Sequence, residues 1–146
     1  MNSCEEESIG RQIYICAQAM RSYADQKLKK HDLTIEQLHI LKQLSVSEVQ
    51  TQNQLCEGVS KSPANITRIL DRLEKKGRVN RRPNPEDRRS VLVSLTEEGE
   101  HLLAEVNVLF EGLLPDVVAG ISIEKQKIAI DVLKKILQNL SELSDK

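Results

Sequence analysis

Residues 51–96 constrain the fold more than any other part of the chain, because the hydrophobic period changes within them. A capping pair, Thr51 and Gln54, starts a short helix. Ser62 then precedes a second helix, which has apolar residues every three or four positions and ends at Gly77. Beyond it, alternating residues around a turn rich in Pro, Asn and Asp predict a two-stranded hairpin. This order of elements predicts a winged helix-turn-helix, in which the hairpin is the wing.

Helices are predicted on both sides of this unit, so the fold class is mainly α with a small β-hairpin. We expect a single domain over residues 1–146, with the winged helix-turn-helix at 34–95 and helices at 5–30 and 97–143. The flanking helices carry more apolar residues than so small a unit can cover. Two interpretations remain: they are N- and C-terminal dimerisation helices that pack against a second copy, or they fold back on their own domain.

Three local signals give further expectations. Thr34 and Gln37 predict a capping box at the start of another helix. Gly58 lies near the end of the short helix, where a left-handed residue is often needed. Pro115 is expected to kink or end the helix that follows the wing.

The composition is that of an ordinary globular protein, with 39% apolar and 29% charged residues in a chain of 146. No apolar run is long enough to span a bilayer, and the acidic start of the chain is unlike a secretory signal. We therefore expect a cytoplasmic protein with no membrane partner. Three cysteines, an odd number, argue against a disulfide framework.

The formal net charge of −1 conceals a strongly basic segment. Residues 61–89 contain ten Lys and Arg against four Asp and Glu, a net charge of +6. The remainder holds eleven bases and eighteen acids, a net charge of −7. A basic surface on an acidic body is typical of proteins that bind nucleic acid. Charge alone also fits an ordinary solvated surface, so the side chains of this segment decide between the two.

The helix that begins after Ser62 has a polar side opposite its apolar one. Asn65, Arg68 and Arg72 recur there at spacings of three and four. Arg pairs bidentately with guanine and Asn with adenine, while the neighbouring Ala64 and Thr67 suit contact with a thymine methyl. An ordinary solvent-facing helix side would show the same spacing, so the prediction gains its strength from the flanking elements.

Those flanking elements favour contact with phosphate and with a minor groove. Ser62 and the free N–H groups of the first helical turn can hold a phosphate. Four arginines crowd the wing: Arg81, Arg82, Arg88 and Arg89. Narrow minor grooves concentrate negative potential and attract inserted arginines, and Asp87 could orient one guanidinium. The sequence thus predicts a helix in the major groove of double-stranded DNA and a wing in the neighbouring minor groove.

Three motifs together carry a family resemblance. They are Leu33-Thr34-x-x-Gln37, the helix from Ser62 to Gly77, and Arg81-Arg82-x-x-x-x-Asp87-Arg88-Arg89-x-Val91-x-Val93-x-Leu95-Thr96-x-x-Gly99. This combination, which covers about residues 33–99, resembles the MarR family of bacterial transcription regulators. The helices outside it match the family only in pattern and length.

The resemblance implies a homodimer whose terminal helices form the interface. It also implies binding to a palindromic operator, usually as a repressor, with a ligand or oxidant weakening the complex. On this resemblance, Asp87 and Arg89 match an Asp-x-Arg wing signature, and Arg89 is the better candidate for the minor groove. The expected DNA contacts are Ser62, Ala64, Asn65, Thr67, Arg68, Arg72, Arg82, Asp87, Arg88 and Arg89.

Release by a small-molecule effector is the family's default, and thiol-based redox sensing is the alternative. Peroxide-sensing members carry a reactive cysteine in the first helix, hydrogen-bonded by tyrosines of the second. Cys16 lies in the first helix, but the second helix has no tyrosine. Cys16 also falls on the apolar side of the first helix, where a buried thiol is usually inert. Acids beside Cys4 disfavour a thiolate, and Cys56 is expected to pack between two helices. The chain has few aromatic rings to stack on a phenolic ligand. An apolar or anionic effector is one possibility, and a regulator with no effector is equally open.

Catalysis, cofactors and metal binding have little support. His31, His39 and His101 are scattered, without the spacing of a metal site. The chain has no evident nucleophile–base–acid set and no glycine-rich phosphate loop, so we expect no enzyme activity and no cofactor. The rival to DNA binding is a winged-helix module that binds only proteins, since fold does not fix function. Such a module has no need for the arginines of the wing.

Overall fold

The computed structural model describes residues 7–59 and 61–145. The expected start of the first helix at residues 5 and 6 and the expectation for Cys4 lie outside these residues. The helices are α1 (Ile9–Leu28), α2 (Ile35–Val46), α3 (Gln52–Val59), α4 (Pro63–Lys75), α5 (Glu97–Val117) and α6 (Ile123–Ser144). The strands are β1 (Gln50–Thr51), β2 (Val79–Asn84) and β3 (Asp87–Leu95), and a 3-10 turn (Lys29–His31) follows α1.

The predicted wing is present, but the sheet has three strands rather than two. Its order is β1-β3-β2, and both pairings are antiparallel. The additional strand pairs Gln50 with Val93 and Thr51 with Leu92. A strand of two residues has no period, so the hydrophobic pattern could not predict it.

Side-chain caps begin the helices at the positions that the sequence predicts. The Thr34 hydroxyl accepts from the Gln37 N–H at 3.2 Å, and the Gln37 side chain accepts from the Thr34 N–H at 3.1 Å. Thr51 and Gln54 make the same reciprocal pair at 3.1 and 2.8 Å. Both capping boxes are therefore confirmed, and they fix where α2 and α3 begin.

Glycine and proline mark the helix ends less uniformly than the sequence predicts. Gly77 ends α4 with φ +73°, as expected. The expectation for Gly58 is wrong: it lies inside α3 and is not left-handed, and a Cβ there would approach Gln43 Nε2 to 2.5 Å. A Cβ at this position would displace only the flexible end of the Gln43 side chain, and the backbone conformation does not require glycine here. Pro115 does not end α5, which continues to Val117.

By internal contacts the chain divides after Asn107 into two units. The first unit holds the hydrophobic core, which consists of Leu28, Leu33, Leu38, Ile40, Leu41, Leu44, Leu55, Ile66, Ile69, Leu70, Leu73, Val79, Val93, Leu103 and Val106. In the second unit, none of the residues 108–145 is buried. The large apolar side chains exposed on α6 include Ile128, Leu133, Leu137, Leu140 and Leu143. These apolar side chains of α6 are thus uncovered in the single chain.

Across residues 7–59 and 61–145, none of the helices has the length and apolar content that crossing a bilayer requires.

Candidate nucleic-acid interface

Helix α4 separates an apolar side from a polar side, as its spacing predicts. Ile66, Ile69, Leu70 and Leu73 are buried, with at most 5% of their surface exposed. The opposite side presents Asn65, Arg68 and Arg72 to solvent. Burial of four large apolar residues holds the helix against α3 and the sheet, so the polar side is presented on a fixed support.

The two residues best suited to contact base edges already contact each other. The Arg68 Nη2 donates to the Asn65 Oδ1 at 2.8 Å, one helical turn away. The amide oxygen of Asn65 therefore accepts one hydrogen bond and keeps a second lone pair, while the remaining guanidinium N–H groups of Arg68 stay available. Arg68 thus has its side chain oriented along the exposed side of α4 before any ligand is present.

Thr67 is held by two hydrogen bonds, neither of which is predicted from the sequence. Its hydroxyl donates to the Pro63 carbonyl at 2.9 Å and accepts from the Gln52 Nε2 at 2.8 Å. Gln52 is the first residue of α3, and the helix-turn-helix brings it against α4 although fifteen residues separate the two. With the hydroxyl engaged, the methyl group is the free part of Thr67. Gln52 is therefore a site residue that local spacing could not identify.

The wing departs from a regular hairpin where the arginines lie. Pro83 pairs with Val91, but Asn84 pairs with Asp87, so the register shifts between Pro83 and Asn84. Arg88 and Arg89 lie in the bulge that this shift creates on β3. A bulge takes residues out of the hydrogen-bonded ladder and re-aims their side chains. The local irregularity therefore exposes two cationic side chains beside each other.

Asp87 has a different role from the one expected. Its Oδ1 accepts from the backbone N–H of Arg89 at 2.9 Å, and among the described residues it makes no ion pair with a wing guanidinium. Asn84 likewise accepts from the Glu86 N–H at 3.1 Å and donates to Ser90 at 2.8 Å. These short-range bonds shape the tip of the wing. Asp87 thus positions the backbone that carries Arg89 rather than the guanidinium itself.

Arg81 does not belong with the other wing arginines, which corrects the expected group of four. Its Nη2 lies 2.5 Å from Asp71 Oδ1 and 3.2 Å from Glu74 Oε1, both on α4. The hydrogen bond from Arg81 holds the pKa of Glu74 below its ordinary value, and the same bond raises the pKa of Arg81. Both groups are therefore charged at neutral pH, and Arg81 is occupied within the protein.

The structure sorts the ten basic residues of 61–89 into engaged and available groups. Lys61 pairs with Glu36 at 3.4 Å, and Lys76 pairs with Asp32 at 2.8 Å. Arg78 donates to the backbone carbonyls of His31 and Asp32 at 2.7 and 2.8 Å. Within the described part of the chain, the bases without an ion pair in this segment include Arg68, Arg72, Lys75, Arg82, Arg88 and Arg89.

Every predicted contact residue of α4 and the wing is exposed. Of the ten, the five that carry a positive charge, Arg68, Arg72, Arg82, Arg88 and Arg89, all belong to the available group. Uncompensated cations on one helix side and an adjoining hairpin attract a polyanion. The arrangement therefore suits a duplex in which phosphates and base edges are both within reach.

The two described cysteines, which include Cys16, the candidate for a redox switch, are not fully buried. Cys16 is exposed in the single chain rather than buried on its stripe, and Cys56 is half-buried. No group of three or more His, Cys, Asp and Glu side chains in residues 7–59 and 61–145 is arranged to hold a metal ion.

A surface groove of about 480 Å³ lies within the first unit. Its apolar lining comes from Leu44 at the end of α2, Leu95 at the end of β3, and Leu103 on α5. Glu48 and Glu100 are the charged residues at its margin. The volume falls in the range of small-molecule sites. The two carboxylates favour a neutral or cationic occupant over the anionic one that the sequence suggested.

The fold and the exposed basic side define a winged helix-turn-helix protein, and comparisons with known proteins give its family. A sequence profile of the MarR family matches residues 33–91. The chain is 30% identical to a cysteine-to-serine mutant of MarR from E. coli complexed with operator DNA, with a TM-score of 0.82 over 91% of this chain and 96% of that one. It resembles wild-type apo MarR from E. coli with 30% identity, a TM-score of 0.78, and coverage of 89% and 97%. The S. aureus MepR–DNA complex matches with 25% identity, a TM-score of 0.81, and coverage of 90% and 98%. The chain belongs to the MarR family of transcription regulators.

Proposed function

We propose that this protein is a homodimeric repressor that binds a palindromic DNA operator and is released by a small-molecule effector. The observation that carries the proposal is a set of exposed arginines that form no ion pair with the described residues: Arg68 and Arg72 on α4, and Arg82, Arg88 and Arg89 on the wing. Helix α4 enters the major groove with Asn65 and Arg68 facing base edges, and the wing contacts the adjoining minor groove.

Two similar structures support a DNA partner. The E. coli MarR mutant was determined with operator DNA, and MepR of S. aureus was determined as a DNA complex. Both match this chain over about nine-tenths of its length. The expected contacts here are Ser62, Ala64, Asn65, Thr67, Arg68, Arg72, Arg82, Asp87, Arg88 and Arg89. Among them, Asp87 acts through the backbone of Arg89.

The exposed apolar residues of the terminal helices support a homodimer. On α1, Tyr14 and Met20 are 63% and 54% exposed, and on α6 Leu137 and Leu143 are 66% and 64% exposed. Exposed apolar side chains in such numbers mark a protein–protein interface. A second copy of the chain offers the same surface and, by two-fold symmetry, places two α4 helices on a palindromic site.

The groove between α2, β3 and α5 is the proposed effector site. It touches α2, which packs on α3, and β3, which belongs to the wing. A ligand wedged there would move the wing relative to α4, and this would weaken the complex with DNA. Because Glu48 and Glu100 lie at its margin, the effector class is a neutral or cationic apolar molecule.

The test is selection of duplexes from a random DNA library, followed by fluorescence-anisotropy titration of the selected duplex and a scrambled one. We expect an enriched inverted repeat, with half-site centres about one or two duplex turns apart. Affinity for both duplexes should fall between about 50 and about 200 mM salt. A library with no enriched sequence, or an affinity for DNA that does not change with salt concentration, would favour the protein-interaction module instead.

A further inference from the structure

The side chain of Arg81 links the wing to the recognition helix α4. Its guanidinium contacts two carboxylates one turn apart on α4: Nη2 lies 2.5 Å from Asp71 Oδ1 and 3.2 Å from Glu74 Oε1, and Nε lies 3.4 Å from Glu74 Oε2. The Arg81 side chain is only 20% exposed, whereas Asp71 and Glu74 are 59% and 42% exposed. One residue of β2 is therefore clamped by both acids of α4.

The backbone of Arg81 joins the same contact. β2 is an edge strand, since the sheet order is β1-β3-β2. The Arg81 N–H donates to Glu74 Oε2 at 3.1 Å. An edge strand normally leaves such groups to solvent or to another chain. Glu74 thus fixes both the main chain and the side chain of Arg81, which limits how far β2 can move from α4.

The contact also changes the charge of the helix side proposed to face DNA. Asp71 lies directly before Arg72 and three residues after Arg68, so its carboxylate shares the exposed side of α4 with them. An unpaired carboxylate there would repel phosphate. The guanidinium of Arg81 neutralises it from the protein side, while Arg68 and Arg72 remain available.

We propose that Arg81 is a positioning residue of the DNA-binding surface, which sets the distance between wing and recognition helix and neutralises Asp71 without contacting DNA. The inference rests on the proposed function. It separates Arg81 from its neighbour Arg82, which is exposed, has no ion pair among the described residues, and is expected to contact phosphate.

The experiment compares Arg81→Gln and Arg81→Lys with Arg82→Gln as the matched control, using the selected duplex and the scrambled duplex at several salt concentrations. Urea unfolding first establishes that each variant is folded. Arg81→Gln should weaken binding to the selected duplex about tenfold and leave its salt slope unchanged, because no phosphate contact is lost. Arg82→Gln should reduce the salt slope by about one. Arg81→Lys keeps the charge but loses the planar fork, so it should also bind the selected duplex more weakly.

A double variant tests whether Arg81 also acts by neutralising the charge of Asp71. Adding Asp71→Asn to Arg81→Gln should restore binding by about threefold, whereas Asp71→Asn in the wild-type background should change it less. A reduced salt slope in Arg81→Gln, or wild-type affinity in Arg81→Lys, would overturn the positioning role while leaving the proposed function intact. A wild-type protein that binds neither duplex would instead overturn the proposed function, and the role of Arg81 with it.

Discussion

At the scale of single residues, Arg68 is placed better than Asn65 to discriminate bases. The hydrogen bond between them directs the Asn65 amide oxygen, which recognition of adenine needs as the acceptor, towards Arg68 and leaves it one of its two lone pairs. The guanidinium of Arg68 keeps enough free donors for a bidentate contact with guanine. Asn65 then serves to hold Arg68 in position, so the two residues act as one unit.

The first prediction concerns Arg68→Ala. Loss of a bidentate base contact should relax preference at one position of each half-site, at a cost of about 1–3 kcal/mol for the preferred duplex. Arg68→Lys is the control, since it retains the charge and loses the fork. Affinity measured against duplexes substituted at each position gives the profile. If the alanine variant keeps the wild-type profile, Arg68 contacts no base.

The second prediction concerns Arg89→Ala on the wing. Removing a cation that contacts the minor groove should weaken binding to all duplexes similarly and reduce the salt slope by about one. Lys29→Ala, which removes an exposed cation far along the sequence from the wing, should leave the slope unchanged. Anisotropy titrations over a series of salt concentrations measure both slopes. Equal slopes for Arg89→Ala and the wild type would place Arg89 away from DNA.

The third prediction concerns the buried Gly99 in the first turn of α5. A Cβ at Gly99 would overlap the Arg78 carbonyl oxygen, which is part of the backbone and cannot give way by rotation. Gly99→Ala should therefore lower the free energy of unfolding by about 1–3 kcal/mol. Gly10→Ala, where a Cβ meets nothing within 4 Å, should cost nothing. Urea denaturation compares the two, and an unchanged midpoint for Gly99→Ala would contradict the packing argument.

Between elements, the carboxylate of Glu36 forms ion pairs that connect three segments of the first unit. Glu36 on α2 accepts from Arg21 on α1 at 3.3 Å and from Lys61, which precedes α4, at 3.4 Å. Burial opposes ionisation of Glu36, but Lys61 and Arg21 outweigh it and lower its pKa. The start of α4 is therefore coupled electrostatically to α1.

The fourth prediction follows from the sign of that pKa shift. Because the folded pKa of Glu36 lies below the ordinary value of 4.5, the ion pairs stabilise the fold above about that pH. Their contribution disappears as the pH falls through the lowered pKa. Glu36→Gln should therefore cost at most about 1 kcal/mol at neutral pH, since these are partly exposed pairs.

The measurement is urea unfolding of wild type and Glu36→Gln at about pH 7 and about pH 3. The difference in the free energy of unfolding should be present at the higher pH and vanish at the lower one. Glu57→Gln on α3 is the control, because Glu57 makes no ion pair within the described residues. A difference that does not depend on pH would argue against the ionic origin.

For the whole molecule, the exposed apolar surface bears on whether the chain is stable in water as a monomer or needs a second copy to cover it. The core lies in the first unit, while α6 exposes Leu133, Leu137 and Leu140 without burying any residue. Exposed apolar area of this extent is costly in water, and covering it with a second copy removes that cost. The proposed dimer and the palindromic operator therefore depend on the same feature.

The fifth prediction concerns Leu137→Asp, which places a charge on the apolar side of α6. In a dimer, both copies would bury a carboxylate at the interface, so the dissociation constant should rise by at least about tenfold. Asn139→Asp makes the same charge change on the opposite side of the helix and should leave the dimer intact. Analytical ultracentrifugation over a range of concentrations measures the association. A monomeric wild-type protein would contradict the dimer itself.

Sequence alone is enough to predict where α2, α3 and α4 begin, and which side of α4 is buried. Capping at Thr34 and Ser62 and apolar spacing along α4 are local signals, because they depend on residues within one or two turns of each other. The arginine-rich wing and the family resemblance were also visible at this level. The sequence could not supply strand β1, since two residues carry no period.

Which of the basic residues are available depends on how the elements pack in three dimensions. Four arginines of the wing look equivalent in sequence, yet Arg81 is held by Asp71 and Glu74 while Arg88 and Arg89 lie in an exposed bulge. Gln52 reaches Thr67 across fifteen residues for the same reason. An ion pair or hydrogen bond between distant segments depends on how the elements pack, and neither charge nor spacing along the chain encodes that geometry.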